Sequence, residues 1–212
     1  MGENRSFEDT YSYYLNRLKT LSFDTAASIK GIEHRDGSLF VPLLNRVYSV
    51  SPGGILDWSG RRPGFDICVV LCRYLLMARS SPPEGERWVS FRDLKDSGPL
   101  TVYFAHDVEN AVASGFTGAK DSLSRAARRL GARDEAIDAG YDLAAQIEAL
   151  PNIPVCVLFN DADDEFRAAC SILFRPDVET RLDAECIAIL GRLIYTHLVS
   201  APDEAQGFSE ES

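Results

Sequence analysis

Apolar residues that recur at steps of three and four positions predict helices at both ends of the chain and in its first half. The N-terminal stripe predicts a helix from about Ser6, where a capping pattern begins, and a short helix over residues 24–29. Residues 65–79 are apolar nearly all round, so they predict a helix buried at the centre of the core. Asp183 precedes the last stripe and predicts the N-cap of a helix over residues 184–199.

A period of two predicts strands in two other parts of the chain. Between residues 32 and 58, turn signals at Asp36-Gly37 and at Pro52-Gly53-Gly54 predict two antiparallel hairpins. Residues 141–149 alternate between apolar and polar positions, which predicts a strand. The apolar runs 153–159 and 168–174 predict a further hairpin at the centre of the sheet.

The remaining stretches complete the prediction of the fold. Residues 121–130 predict one more helix that Gly131 ends, whereas residues 96–118 match neither period. We therefore predict a single α+β domain over residues 1–200. In it a mostly antiparallel sheet packs against a buried central helix and against N- and C-terminal helices. Residues 201–212 are polar and acidic, and we expect a flexible tail there.

The composition fits a globular protein and argues against several functional classes. Of the 212 residues, 45% are hydrophobic and 25% are charged, which excludes a disordered chain. The net charge of −10 argues against nucleic-acid binding, because neutralising phosphates requires a basic face. No apolar run is long enough to span a membrane, and no secretory signal is visible. We therefore expect a cytoplasmic protein that binds neither nucleic acid nor a membrane.

The acidic loop of residues 161–165 is the most pronounced candidate for chemistry. Asp161, Asp163 and Glu165 alternate in it, and clustered carboxylates are ligands for hard cations such as Mg²⁺ or Ca²⁺. The loop does not fit an EF-hand, because Ile172 stands where the carboxylate at the twelfth position belongs. Two interpretations remain: an acidic site for a metal or a basic partner, and a solvated hairpin tip that discourages aggregation.

Histidine and arginine supply the other candidates. His106 precedes Asp107, and a neighbouring carboxylate can orient an imidazole for acid–base chemistry, although an exposed or helix-capping histidine fits equally well. Four arginines further along the chain form a basic stripe that suits phosphate or an acidic partner, or else a solvated helix face. They are Arg125, Arg128, Arg129 and Arg133.

Five cysteines lie inside apolar segments, and their odd number and the lack of a CxxC spacing indicate reduced thiols in the core. Cys68 and Cys72 are one helical turn apart, so a site for a soft metal is the alternative for this pair. The others are Cys156, Cys170 and Cys186.

Five blocks in the second half of the chain occur in the order seen in a known bacterial family. They are Trp88-Val89-Ser90-Phe91-Arg92-Asp93-Leu94, Leu150-Pro151-Asn152-Ile153-Pro154-Val155, Phe159-Asn160-Asp161-Ala162-Asp163-Asp164-Glu165-Phe166, Ile172-Leu173-Phe174 and Ile187-Ala188-Ile189-Leu190-Gly191. Over roughly residues 65–198 the chain resembles the bacterial domain-of-unknown-function family 3786. It departs from the family where the acidic block usually ends in Glu-Phe-Pro, because Arg167 follows Phe166 here.

The resemblance implies a protein of anaerobic bacteria with a link to corrinoid, one-carbon or iron–sulfur metabolism. It transfers no catalytic residue, because none is established for the family, and it specifies no cofactor. We expect a non-catalytic binding or accessory module whose partner is a protein or a small molecule. The alternative is a small enzyme or metal-binding protein that uses His106, Asp107 and the acidic loop.

Overall fold

The computed structural model describes residues 2–77, 81, 85, 87–136 and 140–200, with residues 2–6 described by their backbone. In this part of the chain, helices and two antiparallel sheets share one hydrophobic core, which confirms the predicted α+β fold. The helices are α1 (Gly2–Leu18), α2 (Phe23–Ala27), α3 (Phe65–Met77), α4 (Thr101–Tyr103), α5 (Asn110–Gly115), α6 (Lys120–Arg129) and α7 (Ala184–Val199). None of the described helices has the length and apolar character required to cross a bilayer.

The boundaries of three helices differ from the sequence prediction, and those of α2 (predicted 24–29) and α6 (predicted 121–130) differ by one or two residues. α1 begins at Gly2 and not at Ser6, since no residue between them interrupts a helix. α2 ends at Ala27, because the Ser28 hydroxyl donates to the carbonyl of Thr25 at 2.7 Å and closes the last turn. The last two residues of the predicted 65–79 helix and the predicted tail both lie outside the described residues.

The first sheet is a four-stranded meander and confirms the two predicted hairpins. Its strands are β1 (Glu33–Arg35), β2 (Ser38–Leu43), β3 (Arg46–Ser51) and β4 (Gly54–Leu56), in that order. Asp36 and Gly37 both have positive φ in the first turn, as predicted. A further two-residue turn at Leu44 and Asn45, with φ of 50° and 62°, joins the two hairpins into one sheet.

The second sheet has five strands in the order β5-β9-β8-β7-β6. They are β5 (Val89–Ser90), β6 (Arg133–Asp134), β7 (Leu143–Leu150), β8 (Ile153–Asn160) and β9 (Ala169–Phe174). The strand predicted over residues 141–149 and the hairpin that follows are therefore confirmed. Alternation places Ala145, Ile147 and Ala149 in the core, while the residues between them face the other side of the sheet.

Helix α3 is the buried centre that its apolar character predicts. It lies between α1 and α7, and Leu71 and Tyr74 are fully buried. The Tyr74 hydroxyl donates to the Pro151 carbonyl at 2.8 Å, so the helix also anchors the turn between β7 and β8. Asp183 caps α7 as predicted, since its side chain accepts from the N–H of Cys186.

The stretch that matched neither period is helical from Gly98 to Gly115, with a change of pitch in the middle. A turn of 3₁₀-helix (Gly98–Leu100) and α4 lead into a π-helical segment (Phe104–Glu109), and α5 follows. A π-helical segment displaces the apolar face, so these residues show no period of 3.6 in the sequence. Gly191 of α7 packs directly against the segment: a Cβ added there would lie 2.4 Å from the Phe104 ring.

Candidate functional site

A cleft of about 700 Å³ opens where the two sheets meet. The N–H of Leu44 donates to Ala149 O of β7 at 2.9 Å and joins the two sheets, and Asn45 Nδ2 donates to Arg129 O at the end of α6 at 3.0 Å. We call this space the inter-sheet cleft. Its charged and amide-bearing lining residues are Lys30, Asn45, Arg133, Gln146, Glu148, Asn152 and Arg175.

Strand register shows how part of the second sheet becomes the floor of the inter-sheet cleft. Arg133 of β6 pairs with Gln146 of β7, and two positions along β7 Glu148 pairs with Pro154 of β8. Paired residues lie on the same face of a sheet, so these four side chains share the face opposite the core. Arg175, one residue beyond the end of β9, completes the floor.

Basic side chains predominate in the inter-sheet cleft, although the whole protein is strongly acidic. Of the described residues that line it, Lys30, Arg133 and Arg175 are basic and Glu148 alone is acidic, whereas the chain has a net charge of −10. Arg175 stacks on Trp88, with its guanidinium carbon 3.7 Å from the ring centroid. Within the described residues, Lys30 and Arg133 make no hydrogen bond or ion pair through their side chains. The side chains of Lys30 and Arg133 are therefore available to a ligand.

Two asparagines of the inter-sheet cleft share a backbone conformation but differ in whether the side-chain amide has a hydrogen-bond partner. Asn45 and Asn152 both adopt a left-handed backbone, with φ of 62° and 61°. The amide of Asn45 donates to Arg129 O, but Asn152 Nδ2 is buried and has no hydrogen-bond partner among the described residues. A buried amide without a partner costs about 1–3 kcal/mol of stability, so a native structure that keeps one calls for an explanation.

Glu148 lies at an exposed position of β7, close to the turn that leads into β8. The backbone N–H groups of Asn152 and Ile153 and the positive charges of Arg133 and Arg181 favour its ionised form. Loss of water outweighs these effects and raises the pKa of Glu148 above the usual glutamate value.

His106 and Asp107, predicted as a pair, are in contact. His106 Nδ1 lies 2.9 Å from Asp107 Oδ1, and both side chains project from the π-helical segment into solvent. His106 lines a second cavity of about 480 Å³ together with Arg167, between α5 and the loop that joins β8 to β9. Asp107 does not line this cavity, and neither do the three carboxylates predicted as metal ligands. We call this space the His106 cavity.

The carboxylates of the acidic loop are engaged with backbone amides. Asp161 Oδ1 accepts from the N–H of Gly118 at 2.6 Å and from that of Ala162 at 2.8 Å. Asp163 Oδ1 accepts from the N–H groups of Glu165 and Phe166 at 2.8 and 2.7 Å. These bonds lower the pKa of both aspartates.

The structure brings no metal-binding set together around the predicted ligands. Nowhere in the described residues do three or more His, Cys, Asp or Glu side chains form a group that could hold a metal ion. Asp161, Asp163 and Glu165 follow one another along one loop, and the first two are oriented by the amides that they accept from.

Four of the five cysteines are buried, as their apolar surroundings predict. Cys68, Cys72, Cys156 and Cys186 are buried, and Cys170 is partly exposed. Burial raises the pKa of the Cys68 thiol to about 11 and that of the Cys72 thiol to about 12. Both side chains belong to the hydrophobic core, so the Cys68–Cys72 pair is best explained as core packing.

The basic stripe predicted from the sequence divides between two elements. Arg125, Arg128 and Arg129 lie on α6, but Arg133 lies on β6 and reaches the inter-sheet cleft. The sequence did not indicate Lys30, Glu148, Asn152 or Arg175 as site residues. One signal was present for Glu148: a polar position within the alternation of β7, on the face away from the core.

Comparison with known proteins identifies the family and gives no activity. No curated protein and no solved structure matches the chain. A family model described as a domain of unknown function, DUF3786, matches residues 22–197. This range contains both sheets, the inter-sheet cleft and the His106 cavity, and begins after α1. The chain therefore belongs to the DUF3786 family.

Proposed function

We propose that this protein is a non-catalytic binding module that holds a small anionic molecule in the inter-sheet cleft. The observation behind the proposal is the buried, unpartnered amide of Asn152, which lies in a cleft that Lys30, Arg133 and Arg175 also line. A ligand that accepts a hydrogen bond from this amide and carries negative charge would satisfy both features at once.

The size and the lining of the inter-sheet cleft suit a small molecule. Its volume lies within the range of about 300–1,000 Å³ typical of ligand pockets. Pro42, Leu130, Leu150, Pro151 and Pro154 supply apolar walls, and the basic side chains come from separate elements. Arginine binds carboxylate and phosphate groups through two parallel hydrogen bonds, so we assign the ligand to one of these two classes. The link to corrinoid, one-carbon or iron–sulfur metabolism rests on the family resemblance alone.

Calorimetric titration of the full chain with phosphate, sulfate and succinate tests the proposal. We expect at least one of these anions to bind, and Arg133→Gln to weaken its binding by about tenfold or more, because the guanidinium is lost. Arg128→Gln is the matched control, since it removes the same charge from the exposed face of α6. It should bind as the unaltered protein does. Absence of binding by all three anions, or equal weakening by both variants, would refute a site in the cleft.

A small enzyme that uses His106 and Asp107 is the second candidate. Its support is the 2.9 Å contact between the two side chains, which leaves His106 Nε2 available, and Arg167 in the same cavity. We rank this enzyme below the anion-binding module because the side chains of His106 and Asp107 are both exposed to solvent. Imidazole NMR during the same anion titrations separates the two: shifts confined to His106 and abolished by Arg167→Gln would favour the His106 cavity over the inter-sheet cleft.

A further inference from the structure

Side chains that can donate to an anion line the inter-sheet cleft at two separate places along β7. The first place is Gln146, which is paired with Arg133 of β6. Both side chains line the cleft, and within the described residues neither side chain makes a hydrogen bond or an ion pair. We call this pair the strand end of the cleft.

The second place is the turn after β7, where Asn152 has a buried amide nitrogen without a partner among the described residues. Lys30 lies next to this turn, because a Cβ added to the adjacent Gly31 would be 3.8 Å from Pro151 Cγ. The side chains of Lys30 and Asn152 both line the cleft. We call this pair the turn end of the cleft.

Strand geometry sets the distance between the two ends. Leu150, the last residue of β7, lies four positions beyond Gln146. Antiparallel strands rise about 3.4 Å per residue, so the backbone positions of the two ends are about 13 Å apart. A single phosphate or carboxylate group that contacts one end directly leaves the other end unoccupied, whereas an extended molecule fills both.

The middle of the cleft has a different character from its ends. Glu148 lies halfway between Gln146 and Leu150, on the same face of β7 as Gln146, and it is the one acidic residue among the described residues that line the cleft. Its partner on β8, Pro154, adds an apolar surface beside it. The Glu148 carboxylate would repel a negatively charged group placed there, so the acidic groups of a ligand belong at the two ends.

We propose, on the basis of the anion site proposed above, that the ligand of the inter-sheet cleft is an elongated molecule with an acidic group at each end, as in an α,ω-dicarboxylic acid longer than succinate. One acidic group binds Arg133 and Gln146 at the strand end, and the other binds Lys30 and Asn152 at the turn end. The uncharged middle of the molecule passes over Pro154.

The size and the donors of the cleft suit a ligand of this kind. Its volume of about 700 Å³ is in the range of pockets for drug-sized molecules and exceeds what one inorganic ion fills. Each end combines a cation with a neutral amide, which together can donate to both oxygens of a carboxylate. Binding of one acidic group raises the effective concentration of the other at its own end, so a molecule with two acidic groups should bind more tightly than one with a single group.

Calorimetric titration of the full chain with succinate, adipate, suberate and sebacate tests the proposal. We expect the affinity to rise by about tenfold or more from succinate to a longer member of the series, because the longer molecule contacts both ends. Suberate monomethyl ester is the matched control ligand, since it keeps the length of suberate and has one charge fewer. It should bind about tenfold or more weakly than suberate.

Two substitutions report on the two ends separately. Arg133→Gln removes the cation of the strand end, and Lys30→Gln removes that of the turn end. Each should weaken the binding of suberate by about tenfold or more, whereas sulfate, which is small, should respond to Arg133→Gln alone. Arg128→Gln and Lys95→Gln are the matched controls, since they remove the same charges from exposed positions outside the cleft, and they should bind as the unaltered protein does.

The outcomes separate this inference from the anion site on which it rests. Equal affinities along the dicarboxylate series, equal binding of suberate and its monomethyl ester, or equal weakening of sulfate by Arg133→Gln and Lys30→Gln would overturn the elongated ligand and leave the anion site standing. If no dicarboxylate, sulfate or phosphate binds, or if neither substitution weakens any of them, the anion site itself is refuted. Thermal melts verify that each variant is folded, and the dicarboxylate series requires no variant.

Discussion

The inter-sheet cleft and the region around the acidic loop are both rich in polar side chains, but they use them differently. Around the acidic loop, Asp161 and Asp163 are oriented by backbone N–H groups, and Glu109 accepts from the N–H of Ile172 at 2.9 Å. In the inter-sheet cleft, the Asn152 amide has no partner among the described residues, and no described side chain neutralises Arg133 in an ion pair. Polar groups of the first kind support the fold, and those of the second kind remain for a ligand.

This difference explains why the acidic loop, although it is the most conspicuous polar feature of the sequence, is not the best candidate for a binding site. A carboxylate cluster is easy to recognise in a sequence because its members are close together along the chain. Carboxylates in such a cluster can accept hydrogen bonds from the backbone amides next to them. The cations of the inter-sheet cleft are more than a hundred residues apart along the chain, from Lys30 to Arg175, and only the folded sheets bring them together.

Packing of α7 against the π-helical segment should give the largest effect. Gly191→Ala places a Cβ 2.4 Å from the ring of Phe104, which is fully buried and stacks on Phe91 with ring centroids 4.3 Å apart. Since that ring cannot move aside, we expect a loss of about 2 kcal/mol or more in the free energy of unfolding. Urea denaturation followed by fluorescence measures it.

Gly115→Ala is the matched control for this substitution. Gly115 is the last residue of α5, which contacts α7, but a Cβ there would meet Val199 at an ordinary 3.7 Å. We expect unchanged stability or a gain of up to about 1 kcal/mol, because alanine is the better helix former. Equal stability of the two variants would show that the π-helical segment is not tightly packed against α7.

Much of the fold, by contrast, follows from the sequence. Period-two patterns and turn residues located the hairpins of both sheets, and Asp183 located the start of α7. The helical stretch 98–115 was missed, because the π-helical segment shifts its buried face. Local periodicity therefore predicts regular elements and fails where the pitch changes.

Substitution of the two asparagines of the inter-sheet cleft should change the stability by an intermediate amount. Asn152→Gly removes a buried amide that lacks a partner and relieves a left-handed backbone, so we expect a gain of about 1 kcal/mol in stability. The same variant should bind the anion more weakly, because one donor to the ligand is lost. Denaturation and calorimetry on the same sample measure both effects.

Asn45→Gly is the control with the same backbone conformation. It removes an amide that is hydrogen-bonded to Arg129 O, so stability should stay unchanged or fall by up to about 1 kcal/mol. Both variants add one glycine to the unfolded chain, which cancels that contribution from the comparison. If the two variants change stability alike, the Asn152 amide is satisfied in solution and the principal support for the anion site is lost.

The cleft could not have been predicted from the sequence for a physical reason. Arg133 looked like part of a helical stripe, because Gly131 and the start of β6 lie only a few residues after α6. An unsatisfied amide has no sequence signature, since asparagine in a turn is ordinary. His106 and Asp107, in contrast, form a pair that adjacency alone predicts, and the structure contains their contact.

The acidic loop should give the smallest effect, and its sign distinguishes structural carboxylates from a metal site. Asp161→Asn keeps an acceptor oxygen but removes the charge that strengthens the bonds to Gly118 and Ala162, so we expect the melting temperature to fall by a few degrees near neutral pH. Asp164→Asn is the matched control: it lies in the same loop, is exposed, and should leave the melting temperature unchanged or slightly higher.

The pH dependence of that difference follows from the lowered pKa of Asp161. A carboxylate with a lower pKa in the folded state stabilises the protein fully above its unfolded pKa of about 4 and loses this contribution as pH falls through the folded value. Melting temperatures of the unaltered protein and Asp161→Asn should therefore converge in acid. Millimolar Mg²⁺ or Ca²⁺ should shift neither beyond what NaCl of equal ionic strength does, because two of the three carboxylates are already committed to amides. A metal-specific rise that Asp161→Asn abolishes would reverse the assignment and make these aspartates ligands.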